Sequence, residues 1–229
     1  MRTTPATRAF TDDELPDDLL YDILDDARFA PNGGNRQAWH VIVVRDPATK
    51  AQIATLYELG MREYAAHLQA GLIPFVASEA FERTPPGSPY RSAVDLEAAR
   101  GAPLEGGFPQ YLADAPVLLV LTVDLSSTPA VDSGLDRLSI SVGASIYPFA
   151  HNILLAARDR GYGGHFTSVL ARQEPALRQL LRIPPEQILA TMLPMGRPVK
   201  VLTRLSRIPV EEFTRLETAE GAAFGPSAP

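Results

Sequence analysis

The densest run of polar and conformationally free residues is Ala30-Pro31-Asn32-Gly33-Gly34-Asn35-Arg36-Gln37. Gly33 and Gly34 allow the backbone to approach a flat ligand closely, and Asn35 and Gln37 each carry both a donor and an acceptor. The pyrimidine edge of a flavin ring requires that mixture. The same residues also make an ordinary helix-to-strand turn, so the loop alone leaves both readings open.

Other chemistries fail on residue type or spacing. The chain has no cysteine, which removes disulfides, thiolate nucleophiles and cysteine metal sites. Its four histidines, His40, His67, His151 and His165, have no metal-ligand spacing among themselves or with carboxylates, and each reads as an ordinary partly buried histidine. Gly161-Tyr162-Gly163-Gly164-His165-Phe166 begins like a dinucleotide loop, but Phe166 stands at the third glycine position and the segment follows a helix. Gly143-Ala144-Ser145-Ile146-Tyr147 lacks the second glycine of a nucleophile elbow.

The elements that must position these residues follow from hydrophobic spacing. Pro16 suits the first position of a helix that runs to about Ala30, with Leu19, Leu20, Ile23, Leu24 and Ala27 on its inner face. Trp39 to Arg45 predicts a buried strand. Asp46 caps a second helix, with Pro47 at its first position and an inner stripe of Ile53, Leu56, Tyr57, Met61, Tyr64 and Leu68, ending near Gln69. Between Arg83 and Gln110 there are nine glycines and prolines in 28 residues, which predicts a long loop or lid with at most short helical pieces.

Ala115 to Asp124 reads as a central strand. Ser139 to Arg160, apolar on nearly every side, reads as a buried helix with a kink at Pro148 and a stop at Gly161. Gly163 to Ser168 is a short strand or turn, Glu174 to Leu181 a short helix and Gln187 to Met195 a strand. The tail from Gly196 has no helical face and must lie along something else. This order predicts an α+β sheet-and-helix layer in one domain spanning 1–229, and both the buried helix and the tail call for cover from a second copy.

Composition is that of a globular protein, 45% hydrophobic and 21% charged, which excludes a disordered or collagen-like chain. Net charge is −6, but eight acids fall between Asp12 and Asp26 with no base among them, and the rest is nearly neutral. A nucleic-acid binder would need a broad basic surface, so none is expected. The acidic run reads as a solvated helix face. The longest apolar run, Ala115 to Val123, has nine residues where a membrane helix needs about 20, and Met1 to Glu14 lacks a signal-peptide core. Together with the missing cysteine, this fits a cytoplasmic protein.

Four segments occur in one order: Thr7-Arg8-Ala9-Phe10; Ala27 to Trp39; Asn152 to Ala157 continuing through Gly161-Tyr162-Gly163; and Pro194-Met195-Gly196-Arg197-Pro198. Together they closely resemble the FMN-dependent nitroreductase family, from about Arg8 to Pro209. The resemblance implies a three-layer α/β/α sandwich of the α+β class, with a mainly antiparallel sheet around a buried helix. It also implies an intertwined homodimer with FMN at the interface, the tail from about 197–229 extending over the partner.

Position by position, the resemblance gives Arg8 as the cation near the flavin ring. Pro31, Asn32, Gly33 and Asn35 match the loop that reaches the FMN of the other subunit, with Gln37 beside them. Phe166, Thr167 and Ser168 match the stretch at the flavin edge where a backbone N–H faces N5, and Arg207 matches a phosphate-binding base. Thr4, Pro5 and Ala6 depart from the family's bases and serine, so one phosphate ligand is missing or replaced by Arg2 or Arg204. Tyr64, Phe75, Tyr90 and Phe108 are candidate walls of an acceptor pocket, or else pack the core or the dimer interface.

The implied activity is ping-pong transfer from NADH or NADPH through FMN to a small electron-poor acceptor, with the flavin rather than any side chain as the reacting centre. Alternatives are reduction of an activated alkene, reductive dehalogenation, breakdown of the flavin itself, or FMN holding without turnover.

Overall fold

The computed structural model describes residues 1–75, 94–104 and 111–225. Its elements in chain order are α1 (Asp17–Ala27), β1 (Trp39–Val44), α2 (Pro47–Gln69), α3 (Leu96–Gly101), α4 (Tyr111–Asp114), β2 (Val117–Asp124), α5 (Gly143–Asp159), β3 (Gly163–Gly164), α6 (Glu174–Leu181), β4 (Gln187–Gly196) and α7 (Val210–Phe213). Short 3-10 turns occupy Gly33–Asn35 and Val169–Gln173. The four strands form one antiparallel sheet in the order β1-β2-β4-β3.

Alternation along β2 makes three layers. Val117, Leu119, Leu121 and Val123 face α1 and α5, whereas Leu118 and Val120 face α2, α6 and the Val169–Gln173 turn. Strand β4 contributes to both faces, but its alternation changes phase at Ala190, where the register with β2 skips one residue between Leu121 and Thr122. The extra residue of such a bulge reverses the facing of everything beyond it. Leu189 and Met192 consequently pack on the α2 side, and Ala190, Leu193 and Met195 on the α5 side. Tyr147 on α5 donates to the bulged Ala190 carbonyl at 3.2 Å.

The helices follow their local signals with instructive exceptions. Asp46 caps α2 through its carboxylate, which accepts the Thr49 N–H at 2.8 Å, and Pro47 opens the helix. The inner face of α2 is rotated from the expected stripe: Glu63 and His67 are fully buried, while Leu68 is exposed. Glu63 is tolerated there because Arg100 reaches it at 2.5 Å and Arg172 at 2.7 Å. A buried carboxylate held by two guanidiniums costs far less than an unpaired one. Helix α1 stops at Ala27, short of Ala30, and Pro16 is its N-cap rather than its first helical residue.

Strand β1 is half-exposed, not buried. It lies at one edge of the sheet, pairs with β2 alone among the described residues, and leaves Val43 exposed.

The long apolar helix is shorter than its sequence suggests. It begins at Gly143, because Asp132 captures the preceding residues: its buried carboxylate accepts from the Ser139 hydroxyl at 2.6 Å, the Ile140 N–H at 2.9 Å and the Ser141 hydroxyl. Those bonds compete with a helical turn. Tyr147 and His151 are exposed, so α5 is buried on one side only in a single chain. Its inner face stacks Phe149 on Trp39 of β1, with ring centroids 4.6 Å apart and planes nearly parallel. Among the described residues, no helix is long and apolar enough to cross a membrane.

Strand β3 is two glycines because its neighbours leave no room for side chains, Thr7 at Gly163 and β4 at Gly164. A Cβ on Gly164 would lie 2.5 Å from the Pro194 carbonyl oxygen and 2.9 Å from Met195 Cγ. Gly164→Ala is expected to lower stability by about 1–3 kcal/mol, as overpacking against a fixed backbone does. Urea unfolding of mutant and parent measures it, and an unchanged midpoint refutes the tight approach.

Candidate functional site

The loop between α1 and β1 is built on left-handed backbone. Gly34, Asn35 and Gln37 have φ of 63°, 53° and 50°. Glycine and asparagine adopt that region readily, but glutamine does so at a cost, which is the kind of local strain held at functional sites. Asn32 stabilises the shape by accepting the Gln37 N–H on its side-chain oxygen at 2.9 Å. The loop is anchored by the Ser145 hydroxyl at the start of α5, which accepts the Gly33 N–H at 3.2 Å. Pro31, Asn35 and Gln37 remain exposed, with the amide of Gln37 donating to Asn35 at 3.3 Å.

A second group of candidates gathers where the N-terminal segment meets the end of β3. Arg8 is exposed, and its neighbour Thr7 is buried and accepts His165 Nδ1–H on its carbonyl at 2.8 Å. Because a carbonyl can only accept, Nδ1 carries the proton and Nε2 is left as an acceptor for the Tyr111 hydroxyl, 3.3 Å away. Tyr57 on α2 lies 3.4 Å from Tyr111, and the Thr167 hydroxyl donates to Tyr57 at 3.3 Å.

Burial pushes His165 down to about 4, with the Arg8 charge adding to the effect and the Thr7 carbonyl opposing it. Burial, followed by the hydrogen bond and charge of Tyr57, pushes Tyr111 well above the usual phenol range, while Arg8 acts against it. Both groups are therefore neutral near pH 7.

The stretch Phe166-Thr167-Ser168 divides its roles. Thr167 pairs with Met192 of β4 in both directions at 3.0 Å, so its N–H is committed to the sheet and cannot face a ligand. The N–H groups of Phe166 and Ser168 make no hydrogen bond among the described residues, and both residues are exposed. Of the three N–H groups in this stretch, those of Phe166 and Ser168 are the ones left open to a ligand among the described residues.

The start of α5 stands between these two groups. Ser145 holds the Gly33 loop, whereas the Tyr147 ring packs 6.5 Å from that of Phe166. Two residues apart on a helix means about 200° of rotation, so the groups lie on different sides of it.

Arg207 is exposed on the tail and, among the described residues, bonds the neighbouring Ser206 carbonyl alone, at 2.6 Å. Arg2 and Arg204 are exposed as well. Of the four aromatic candidates, Phe75 is tilted onto His67 with centroids 4.6 Å apart and carries the Arg172 guanidinium over its ring, so it packs the end of α2. Tyr64 is half-buried on α2, and Tyr90 and Phe108 fall outside the described residues.

A model of the nitroreductase family matches residues 2–197. The chain belongs to the nitroreductase family. A nitrobenzene nitroreductase of Ectopseudomonas oleovorans is 28% identical over 233 residues, covering 93% of each chain. Iodotyrosine deiodinase 1 of Pongo abelii is 24% identical over 210 residues, covering 91% of this chain and 64% of that one. The fold is also that of an iodotyrosine deiodinase solved with FMN and 3-iodo-L-tyrosine, with a TM-score of 0.62, 22% identity, and coverage of 94% of this chain and 96% of the other.

Within this nitroreductase-family chain, the sequence did not single out Tyr57, Tyr111 and His165 as partners. Tyr57 reads as one member of an apolar stripe, and the 158-residue separation of His165 from Thr7 carries no local signal. The one available cue was chemical, a histidine between the two glycines of β3 and the candidate stretch at Phe166.

The burial of neutral His165 has a measurable consequence. Its pKa is lower folded than unfolded, so the unfolded chain binds the extra proton; stability is full above about pH 6.5 and falls as pH drops toward 4. The loss is roughly 3 kcal/mol at most. Urea midpoints of the parent should fall between pH 6.5 and 4.5, and His165→Gln should flatten that slope. Parallel slopes in the two proteins would show that His165 is not buried neutral.

Proposed function

We propose that this protein is an FMN-dependent oxidoreductase that works as a homodimer, taking reducing equivalents from NADH or NADPH and passing them in turn to a small electron-poor acceptor such as a nitroaromatic or a quinone. The observation that supports this best is the donor set at the end of β3: the N–H groups of Phe166 and Ser168, unpaired among the described residues, with the exposed Phe166 ring, and the exposed Arg8 on a segment that Thr7 ties to Gly164 and His165. That set suits a planar group that gains negative charge when reduced, because fixed N–H dipoles and a cation need not reorganise as the charge develops. FMN, when bound, supplies the two-electron chemistry.

The chain's own residues bind and orient. The guanidinium of Arg8 would stabilise charge on the pyrimidine side of the ring, and the N–H of Phe166 or Ser168 would face its central edge. Pro31, Asn32, Gly33, Asn35 and Gln37 would offer backbone and amide groups to the same ring from a second subunit, as the family resemblance implies, and the Ser145 hydroxyl holds that loop through the Gly33 N–H. Other features support the dimer: the open edge of β1, and a tail that exposes Val199, Val201, Ile208, Val210 and Phe213. Arg207 on that tail is free to pair bidentately with a phosphate.

The likeness to iodotyrosine deiodinase supports a second reading, reductive dehalogenation of an aromatic, with the same cofactor and the same residues around it.

The purified protein should be yellow, and should bleach anaerobically with one nicotinamide and recolour on addition of a nitroaromatic or quinone. Recolouring by an iodinated phenol alone selects the second reading, and protein that binds no FMN refutes both. Arg207→Ala should weaken FMN binding ten- to more than hundredfold, the loss of a charge-assisted bond of about 1.5–3 kcal/mol, while turnover at saturating FMN persists. Arg8→Ala should instead make the bound flavin harder to reduce even at saturation. If Arg207→Ala binds FMN like the parent, or stays inactive when fully loaded, the phosphate role is wrong.

A further inference from the structure

His165 and Thr167 are buried while Phe166 between them is exposed, so the two polar side chains share one face of an extended backbone. On that face they are joined. The Thr167 hydroxyl donates to Tyr57 on α2 at 3.3 Å, Tyr57 lies 3.4 Å from Tyr111 on α4, and the Tyr111 hydroxyl lies 3.3 Å from His165 Nε2. The Thr7 carbonyl takes the Nδ1 proton at 2.8 Å, which leaves Nε2 as an acceptor. Tyr111 therefore donates to His165 and can only accept from Tyr57. Every bond runs one way, out from residue 167 and back at residue 165, and the residue spanned is Phe166.

Strand β4 holds the same backbone from its side. Thr167 exchanges N–H and carbonyl with Met192 at 3.0 Å, and its carbonyl also accepts the Thr191 hydroxyl at 3.2 Å. In a trans peptide the N–H points opposite to the carbonyl, so a Thr167 carbonyl fixed toward β4 turns the Ser168 N–H away from that strand. Alternation along extended backbone turns the Phe166 N–H away from it as well.

We propose that Tyr57 and Tyr111 are positioning residues: with His165 and Thr167 they splint the backbone across Phe166, so that the Phe166 and Ser168 N–H groups keep one direction at the flavin edge. The proposal rests on the FMN reading above for what those groups face. A two-residue edge strand such as β3 has little ladder of its own to steady the chain that follows it. Donors that stabilise a changing charge distribution act best when already oriented, and a splint supplies that before the ligand arrives. Neither tyrosine touches the flavin or the acceptor in this role.

Tyr57→Phe, Tyr111→Phe and Thr167→Val each remove one hydroxyl and keep the shape. In the full-length protein, stripped of FMN and reloaded, each is expected to weaken FMN binding about fivefold, the effect of one ordinary hydrogen bond, and to shift the flavin midpoint potential from the parent's with one sign in all three. Tyr57→Phe combined with Tyr111→Phe should do little more than either alone, because one break already opens the loop. The Thr167 amide should exchange with deuterium about fivefold faster in each variant, with or without FMN.

Tyrosines that merely fill the core would lower the urea midpoint and leave the potential of the loaded flavin where it was. That result would overturn the proposal, as would parent-like affinity in all three variants or additive losses in the double variant. Parent protein that binds no FMN fails the FMN reading instead, and Thr167 exchange then decides the splint by itself: faster exchange in the variants keeps it, and unchanged exchange overturns it.

Discussion

Strand β2 has no solvent face. From Val117 to Val123 no residue is more than 2% exposed, so each side of the strand must be covered by its own layer, α1 and α5 on one side and α2 with α6 on the other. That requirement fixes the sandwich and, through it, the places where candidate residues emerge. The 31–37 loop leaves α1 to enter β1 on one flank; Phe166 and Ser168 leave β3 on the other. Burial of about 25 cal/mol per Å2 of apolar surface is the main force available for this arrangement, and β2 is where it is concentrated.

The sequence was most legible where a local signal and a tertiary demand agree. The Asp46-Pro47 start of α2, the bounds of α6 and the unbroken apolar run of β2 are all of that kind. It was least legible where a distant group decides. Asp132 takes Ser139, Ile140 and Ser141 out of a helix that their own apolar context favours. Glu63 looks like a surface residue until Arg100 and Arg172, each remote in sequence, arrive beside it. Strand β1 looks buried because Val and Ile are its substance, yet whether a strand lies at an edge is set by the order of strands in the sheet and not by composition.

The candidate site divides in the same way. The glycine and asparagine signature of the 31–37 loop is a short-range property, and its left-handed backbone is what such residues are suited to adopt. The anchoring of that loop on Ser145 is a property of packing, supplied by the first turn of α5, and no motif announces it. Thr167 is a similar case: its place in a promising stretch is plain, but its commitment to Met192 emerges only when β4 is alongside. The phase change at Ala190 contributes here too, because Thr191 uses its hydroxyl to bind the Thr167 carbonyl at 3.2 Å and so helps fix the backbone between Phe166 and Ser168.

The strand order has a consequence for how the molecule is made. No neighbouring pair in the sheet is a hairpin: β1 ends at Val44 while β2 begins at Val117, and β4, the other partner of β2, begins only at Gln187. Contacts so remote along the chain form slowly, because the entropy of closing each loop is lost before any pairing offsets it. During synthesis β2 waits with one edge unpaired until most of the chain has emerged. A bare edge so rich in valine and leucine is the segment most prone to join another like itself. The acids at its two ends, Asp114 shortly before it and Asp124 as its last residue, are charges of the kind that keep such nascent edges apart until β4 arrives.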